Sequence, residues 1–268
     1  MFGNPYNGSV KIDDTYMNYA CFGYGNKPLI LLPGLSDGLA NVKGKAFILA
    51  QPYKMFFKEY KIYMFSRKDA MPLDYSIKDM AFDQVKALDA LGIKKADVVG
   101  ISEGGMIALS MAIYHGEYIN KLVIGVSSPK TNDLINENIK KWIELVNNNN
   151  HKQLMIDTAE KTYSENYLKK FRKIYPIIGL IGKPKSYERF LINANAILNF
   201  NEEDNLNKIN CPTLIIGGQK DKTVSVDASY LMKEKIKDSQ IYIYSEYGHG
   251  AYEEAKDFNK KINDFLVE

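Results

Sequence analysis

Short apolar segments alternate with segments of helical periodicity along most of the chain. Such short runs are typical of strands buried on both faces of a sheet. Strands that alternate with helices indicate a mostly parallel sheet with helices on both faces, so we predict an α/β fold. The predicted strands number eight: residues 9–12, 16–20, 29–32, 62–65, 96–100, 122–126, 213–216 and 241–244. The first two flank Asp13 and Asp14, turn-forming residues that can join antiparallel strands at a sheet edge.

The strand pattern is interrupted once, between about residues 130 and 207. Composition shifts there to Asn, Lys, Tyr and Ile, and the segment contains amphipathic patterns instead of apolar runs. We therefore predict a core domain made of residues 1–130 and 208–268, with residues 131–207 as a helical insertion. The helices expected within it are residues 134–146, 152–163, 167–175 and 186–200.

Composition and charge exclude several other classes of protein. A chain of 268 residues with 35 Lys and Arg against 32 Asp and Glu is too balanced in charge for a nucleic-acid groove. No segment reaches the ~18 to 20 apolar residues of a membrane span, and the first residues lack the pattern of a secretory signal. Cys21 and Cys211 lie far apart, without a metal-ligand spacing. We expect a soluble, cytoplasmic protein without a metal or other cofactor, and the sequence sets no oligomeric state.

The segment from Gly100 to Gly104 reads Gly-Ile-Ser-Glu-Gly and matches the pattern G-x-S-x-G. A predicted strand precedes it and a helix rich in small residues follows it. This context places Ser102 on a sharp strand-to-helix turn, with its hydroxyl exposed at the carboxyl edge of the sheet. Ser102 is therefore the candidate nucleophile.

A serine hydroxyl needs a base to accept its proton, and the chain has three histidines. His115 ends the helix that follows Ser102, so it is expected at the far end of that helix. His151 lies in the Asn-rich insertion, where we expect a loop. His249 follows the last predicted strand, and this places it at the same edge of the sheet as Ser102. We therefore predict His249 as the base.

The histidine in turn needs an acidic partner that fixes its tautomer and stabilises its charged form. Asp221 follows the strand of residues 213–216 and projects from the same edge. Asp204 precedes that strand, and Asp227 is better placed to support a helix N-terminus. The chain order Ser102, Asp221, His249 is that of α/β-hydrolases.

Attack on a carbonyl creates an oxyanion, which requires hydrogen-bond donors already in position. We predict the backbone N–H of Glu103, directly after the nucleophile, as one donor. The second is expected in the loop after residues 29–32, where we predict the N–H of Leu35. Gly34 would let this loop pass close to the substrate.

These segments resemble the α/β-hydrolase superfamily, in its lid-bearing branch of serine esterases and peroxidase-like enzymes. The resemblance covers nearly the whole chain and rests on PLILLPGLSDG, VVGISEGGMIAL, INCPTLIIGGQKDKTV and YSEYGHGAY. The chain departs from the family in two places. Pro33 stands where many relatives have histidine. Residues 65–68 lack the usual Asp-x-Arg-Gly, so no role is predicted for that segment. The resemblance implies that residues 131–207 form a lid. Its aromatic residues Tyr163, Tyr167, Phe171, Tyr175, Phe190 and Phe200 are candidates for the pocket wall.

The functional hypothesis is a serine hydrolase that cleaves a small or medium ester, thioester or related acyl bond through an acyl-enzyme. Its expected partner is a small-molecule acyl substrate. A carbon–carbon bond hydrolase of the same fold is the alternative within the enzyme class. A non-catalytic small-molecule receptor is the alternative outside it, although a pure binder has no need for Ser102, Asp221 and His249 together.

Overall fold

The computed structural model describes residues 3–268, apart from the side chain of Ile181. It contains the predicted sheet of eight strands in the order β1-β2-β4-β3-β5-β6-β7-β8. β1 and β2 pair antiparallel, as do β2 and β4, and every other neighbouring pair is parallel. The strands are β1 (Tyr6–Ile12), β2 (Thr15–Phe22), β3 (Lys27–Leu32), β4 (Tyr60–Lys68), β5 (Ala96–Ile101), β6 (Ile119–Gly125), β7 (Thr213–Gly218) and β8 (Ser239–Tyr244).

Helices cover both faces of the sheet. The helices are α1 (Ala46–Leu49), α2 (Ile77–Ala90), α3 (Glu103–Tyr114), α4 (Asp133–Asn147), α5 (His151–Thr162), α6 (Glu165–Phe171), α7 (Tyr175–Ile181), α8 (Glu188–Leu198), α9 (Asp227–Lys235), α10 (Ala251–Glu254) and α11 (Phe258–Val267). Along β3, Ile30 and Leu32 pack into the core beneath α2 and α3, whereas Leu29 and Leu31 pack into the opposite core beneath α1 and α11. This alternation explains the continuous apolar run, because both faces of the strand are buried.

α2 begins with a capping box formed by Ser76 and Asp79. The Ser76 hydroxyl accepts a hydrogen bond from the Asp79 N–H at 3.1 Å, and the Asp79 carboxylate accepts one from the Ser76 N–H at 3.0 Å. This reciprocal capping box satisfies two N–H groups at the helix start.

Two helical segments are interrupted, and one histidine expected in a loop lies in a helix. Between residues 46 and 56, α1 is a single turn that is followed by the 3₁₀ helix Gln51–Phe56. Pro52 lies in the first turn of this 3₁₀ helix, where its missing N–H costs no hydrogen bond. The closing helix is also divided, because the buried Ala255 is extended and separates α10 from α11. In the insertion, His151 is not in a loop but begins α5 and is buried.

Five helices, α4–α8, lie in the chain between β6 and β7, where four had been predicted. The fifth is α7, whose sequence between Pro176 and Ile181 shows no polar face to indicate a helix. Within residues 3–268, no helix is both long enough and apolar enough to cross a lipid bilayer.

Candidate active site

Ser102 lies on the turn between β5 and α3 and has an unusual backbone conformation. Its φ of 54° and ψ of −120° are in a region that residues other than glycine rarely adopt. Backbone strain of this kind is concentrated at functional sites. The turn is held by the Ser102 N–H, which donates to the Gly125 carbonyl at 2.9 Å, and by the Ser127 hydroxyl, which donates to the Ser102 carbonyl at 2.7 Å.

Gly100 and Gly104, on either side of Ser102, stand where there is no room for a Cβ atom. A Cβ on Gly104 would lie 2.0 Å from the Leu32 carbonyl oxygen, and one on Gly100 would lie 2.3 Å from the Gly104 carbonyl oxygen. Both contacts are far inside the van der Waals distance and involve backbone atoms that cannot rotate away. Only glycine therefore allows β3, β5 and the start of α3 to approach this closely.

The loops that hold Asp221 and His249 are also packed backbone to backbone. They follow β7 and β8, which are neighbours in the sheet with Gly218 opposite Tyr244. A Cβ on Gly218 would lie 2.3 Å from the Gly248 carbonyl oxygen. The close approach of these two loops places the Asp221 and His249 side chains in contact.

The structure brings Ser102, His249 and Asp221 together in one hydrogen-bonded series. His249 Nε2 is 3.0 Å from Ser102 Oγ, and His249 Nδ1 is 2.9 Å from Asp221 Oδ2. The other Asp221 oxygen accepts hydrogen bonds from the N–H groups of Thr223 at 2.7 Å and Val224 at 2.9 Å. The carboxylate is thus fixed in orientation, and the arrangement suits proton transfer from the serine to the imidazole.

The two remaining histidines and the two alternative acids are not part of this series. His115 ends α3, as expected, and His151 packs near the ring of Tyr187 in the insertion. The Asp204 side chain is almost fully exposed and lies 3.8 Å from Lys235. Asp227 begins α9, where its carboxylate accepts a hydrogen bond from the Ser225 hydroxyl.

The N–H groups predicted as oxyanion donors both occupy the first position of a helical element. Glu103 begins α3, and Leu35 begins the 3₁₀ helix Leu35–Gly38. N–H groups at this position have no acceptor within their helix, so they are available to a ligand. Leu32 of β3 pairs with Gly100 of β5, which makes the two following loops neighbours. A Cβ on Gly34 would lie 3.1 Å from the Ser102 Cβ.

Ser102 and His249 line a cavity of about 370 Å³ between the sheet and the insertion. Of the six aromatic residues named from the sequence, Tyr163, Tyr175 and Phe190 line it. Phe200 is instead buried in the core. Most of the wall is apolar, and among the lining side chains that the structure describes, Glu253 is the only carboxylate and no lysine or arginine is present.

No role is predicted from the sequence for residues 65–68, but Arg67 is buried beside the site. Its side chain is 1% exposed, and its Nη2 lies 2.9 Å from Glu103 Oε2, although the two groups are not aligned as a hydrogen bond. Arg67 thus places a buried positive charge beside the residue that follows Ser102. Arg67 comes two positions after the apolar run of residues 62–65, and this local pattern does not show that it is buried against Glu103.

A second buried charge lies in the loop of the predicted oxyanion donor. The Asp37 carboxylate accepts hydrogen bonds from the Ser66 hydroxyl at 2.6 Å and the Arg67 N–H at 3.1 Å. It also accepts one from the Arg189 guanidinium of α8 at 3.2 Å. Asp37 therefore joins this loop both to the end of β4 and to the helical insertion.

The buried Glu103 carboxyl should make stability depend on pH. Burial raises its pKa from 4.5 to about 7, against the opposing attraction of Arg67. Because the folded protein holds this proton more tightly than the unfolded chain, its contribution to stability is complete below pH 4.5 and is lost as pH rises through about 7. We expect the wild type to lose roughly 2 kcal/mol more than Glu103→Gln between pH 5 and pH 8 in urea unfolding.

Glu144→Gln, on an exposed position of α4, is the control for this experiment and should keep the pH dependence of the wild type. If the free energy of unfolding changed with pH in the same way for the wild type and Glu103→Gln, the Glu103 carboxyl would have the same pKa in the folded and the unfolded chain, and the prediction would be wrong.

Comparison with known proteins identifies the family to which the chain belongs. The family model of the alpha/beta hydrolase fold matches residues 65–256. The chain therefore belongs to the α/β-hydrolase family, and it is an enzyme of that family.

Individual relatives agree with this assignment. A 2-hydroxymuconate semialdehyde hydrolase from Pseudomonas putida is 28% identical over 199 residues, which span 69% of this chain and 66% of that protein. The serine hydrolase BPHL from Mus musculus is 26% identical over 273 residues, or 96% of this chain and 85% of that protein. The crystal structure of the enol-lactonase from Burkholderia xenovorans LB400 superposes with a TM-score of 0.80 at 18% identity, covering 97% of this chain and 100% of that one.

Proposed function

We propose that this chain is a serine hydrolase that cleaves small or medium esters or thioesters through an acyl-enzyme. The observation that carries the proposal is the series from Ser102 through His249 to Asp221, with contacts of 3.0 and 2.9 Å, at the wall of an apolar cavity. A small apolar acyl or alcohol group suits such a wall. The mouse serine hydrolase relative, similar over 96% of the chain, supports this reading.

In the proposed mechanism, His249 takes the proton of Ser102 as Oγ attacks the substrate carbonyl carbon. Asp221 holds the imidazole in the required tautomer and stabilises its protonated form. The oxyanion accepts hydrogen bonds from the N–H groups of Leu35 and Glu103. His249 then protonates the leaving alcohol or thiol, and the acyl group stays on Ser102. Water activated by His249 attacks the acyl-enzyme and releases the acid.

We further propose that residues 131–207 act as a lid on the core formed by residues 1–130 and 208–268. Supporting this, α4, α5, α7 and α8 contribute Trp142, Thr158, Tyr175 and Phe190 to the cavity wall opposite the sheet. A lid of this kind excludes water and shapes the substrate pocket.

A carbon–carbon bond hydrolase is the second candidate, favoured by the relative that acts on 2-hydroxymuconate semialdehyde. That substrate is an organic anion. The described wall of the cavity offers no lysine or arginine to pair with a carboxylate, and its one acidic side chain, Glu253, would repel it. The charge of the cavity therefore disfavours an anionic substrate.

A direct comparison of substrates tests this choice. We expect kcat/KM for p-nitrophenyl butyrate to exceed that for a 2-hydroxy-6-oxo-dienoate by about 10-fold or more, because the anion meets no compensating charge. A fluorophosphonate probe should label the wild type at Ser102. Faster cleavage of the dienoate would establish the carbon–carbon hydrolase instead, and an unreactive serine in the folded protein would favour the non-catalytic receptor.

A further inference from the structure

The Glu253 carboxylate lines the cavity at a position exposed to solvent and has no cationic partner among the described residues. It lies in α10, one helical turn beyond His249, and accepts a hydrogen bond from the Tyr163 hydroxyl at 2.6 Å. Within residues 3–268, no lysine, arginine or histidine forms an ion pair with it, although fourteen such pairs occur elsewhere. The mostly apolar cavity therefore contains one uncompensated negative charge on the histidine side of the site.

Tyrosine rings line the same cavity as this charge. Tyr53, Tyr163, Tyr175 and Tyr252 all contribute to the wall. The Tyr163 ring is stacked between Tyr167 and Tyr175, with centroid distances of 4.4 and 6.0 Å, so the candidate faces for a ligand are those of the other three rings. Burial and the nearby Glu253 carboxylate raise the pKa of both Tyr163 and Tyr252, so the phenols stay neutral at physiological pH. Neutral aromatic faces beside a carboxylate attract a cation through the ring quadrupole and through direct charge attraction.

The chemistry of the wall restricts the kind of cation. A guanidinium presents five N–H donors and a small metal ion requires several oxygen ligands, whereas this wall supplies one carboxylate that already accepts a hydrogen bond. An alkylated ammonium needs few or no hydrogen-bond acceptors, and its methyl groups suit aromatic and aliphatic walls. A cavity of about 370 Å³ has room for such a group together with a short acyl chain.

We propose that Glu253 and the surrounding tyrosine rings form a subsite for an alkylammonium group, so that the preferred substrates are esters carrying a quaternary ammonium on the acyl or alcohol side. This inference rests on the proposed ester hydrolysis and assigns its substrate class. Glu253 acts here as a specificity-determining residue, without a part in the bond-breaking step.

Matched pairs of esters test the subsite. Choline butyrate and 3,3-dimethylbutyl butyrate differ only in a quaternary nitrogen against a carbon on the alcohol side. Ethyl 4-(trimethylammonio)butanoate and ethyl 5,5-dimethylhexanoate differ in the same way on the acyl side. We expect the cationic member of at least one pair to have a kcat/KM about 10-fold higher than its neutral isostere. In Glu253→Gln this ratio should fall toward one.

Glu234→Gln makes the same change of charge at an exposed position of α9 and should keep the wild-type ratio. Equal or greater activity toward the neutral member of both pairs would overturn the proposal, as would a preference that survives in Glu253→Gln. Calorimetric measurement of the binding of each pair to Ser102→Ala tests the ammonium subsite independently of the proposed ester hydrolysis. If no ester is hydrolysed but the cationic members bind more tightly, the ester chemistry is wrong and the ammonium subsite stands.

Discussion

Replacing Ser102 with alanine should lower the kcat for p-nitrophenyl butyrate by at least about 10⁴-fold, because among the described residues Ser102 is the hydroxyl that is hydrogen-bonded to His249. The circular dichroism spectrum and the unfolding midpoint should stay close to those of the wild type. Alanine also lacks the side-chain atom that His249 contacts at 3.0 Å, so fluorophosphonate labelling should disappear with the activity.

The matched control is Ser110→Ala in α3, the helix that Ser102 precedes. The Ser110 hydroxyl is buried and makes no hydrogen bond within the described residues, so its removal should change turnover by no more than a few-fold. Undiminished hydrolysis by purified Ser102→Ala would falsify the assignment of the nucleophile.

Replacing Asp221 with asparagine should lower kcat by about 10³- to 10⁴-fold with little change in fold. The asparagine oxygen can still accept the hydrogen bonds that Oδ1 takes from the Thr223 and Val224 N–H groups. Its amide NH₂ would then face His249 Nδ1 and favour the tautomer with the proton on Nε2. That tautomer cannot accept the proton of Ser102.

Asp204→Asn provides the comparison, since Asp204 was the competing acid in the sequence and its side chain is almost fully exposed. Its turnover should match that of the wild type. A small effect of Asp221→Asn together with a large effect of Asp204→Asn would require a different acidic partner for His249. Pre-steady-state measurements should show that acylation is slowed in Asp221→Asn, because the base acts in that step.

The eight strands and their mostly parallel pairing could be predicted because their signals are local. Each buried strand has an apolar run, and the start of α2 has its capping box within four residues, Ser76 to Asp79. The convergence of the loops after β3, β5, β7 and β8 then follows from the parallel sheet. Ser102, Asp221 and His249 could be named from sequence for that reason, and their catalytic roles stay predictions.

Features that depend on contacts between distant segments were not predictable in this way. The ion pair of Arg67 with Glu103 and the hydrogen bonds of Asp37 join different elements, and no local pattern indicates them. Glu253 is exposed, as a glutamate in the first turn of a helix ordinarily is, so its place in the sequence likewise does not indicate a cavity. Only the packing of α5, α7 and α10 around the cavity shows that it lies on the wall.

The contact between Arg189 and Asp37 limits how freely the two parts of this enzyme can be recombined. Arg189 reaches from the insertion to the loop that begins at Leu35, and it also donates to the Lys68 carbonyl at 2.7 Å. A chimera that exchanged residues 131–207 for those of a relative without an equivalent arginine would leave the buried Asp37 charge without a cationic partner. An exchange of residues 131–207 therefore has to keep an arginine at the position of Arg189, or replace Asp37 at the same time.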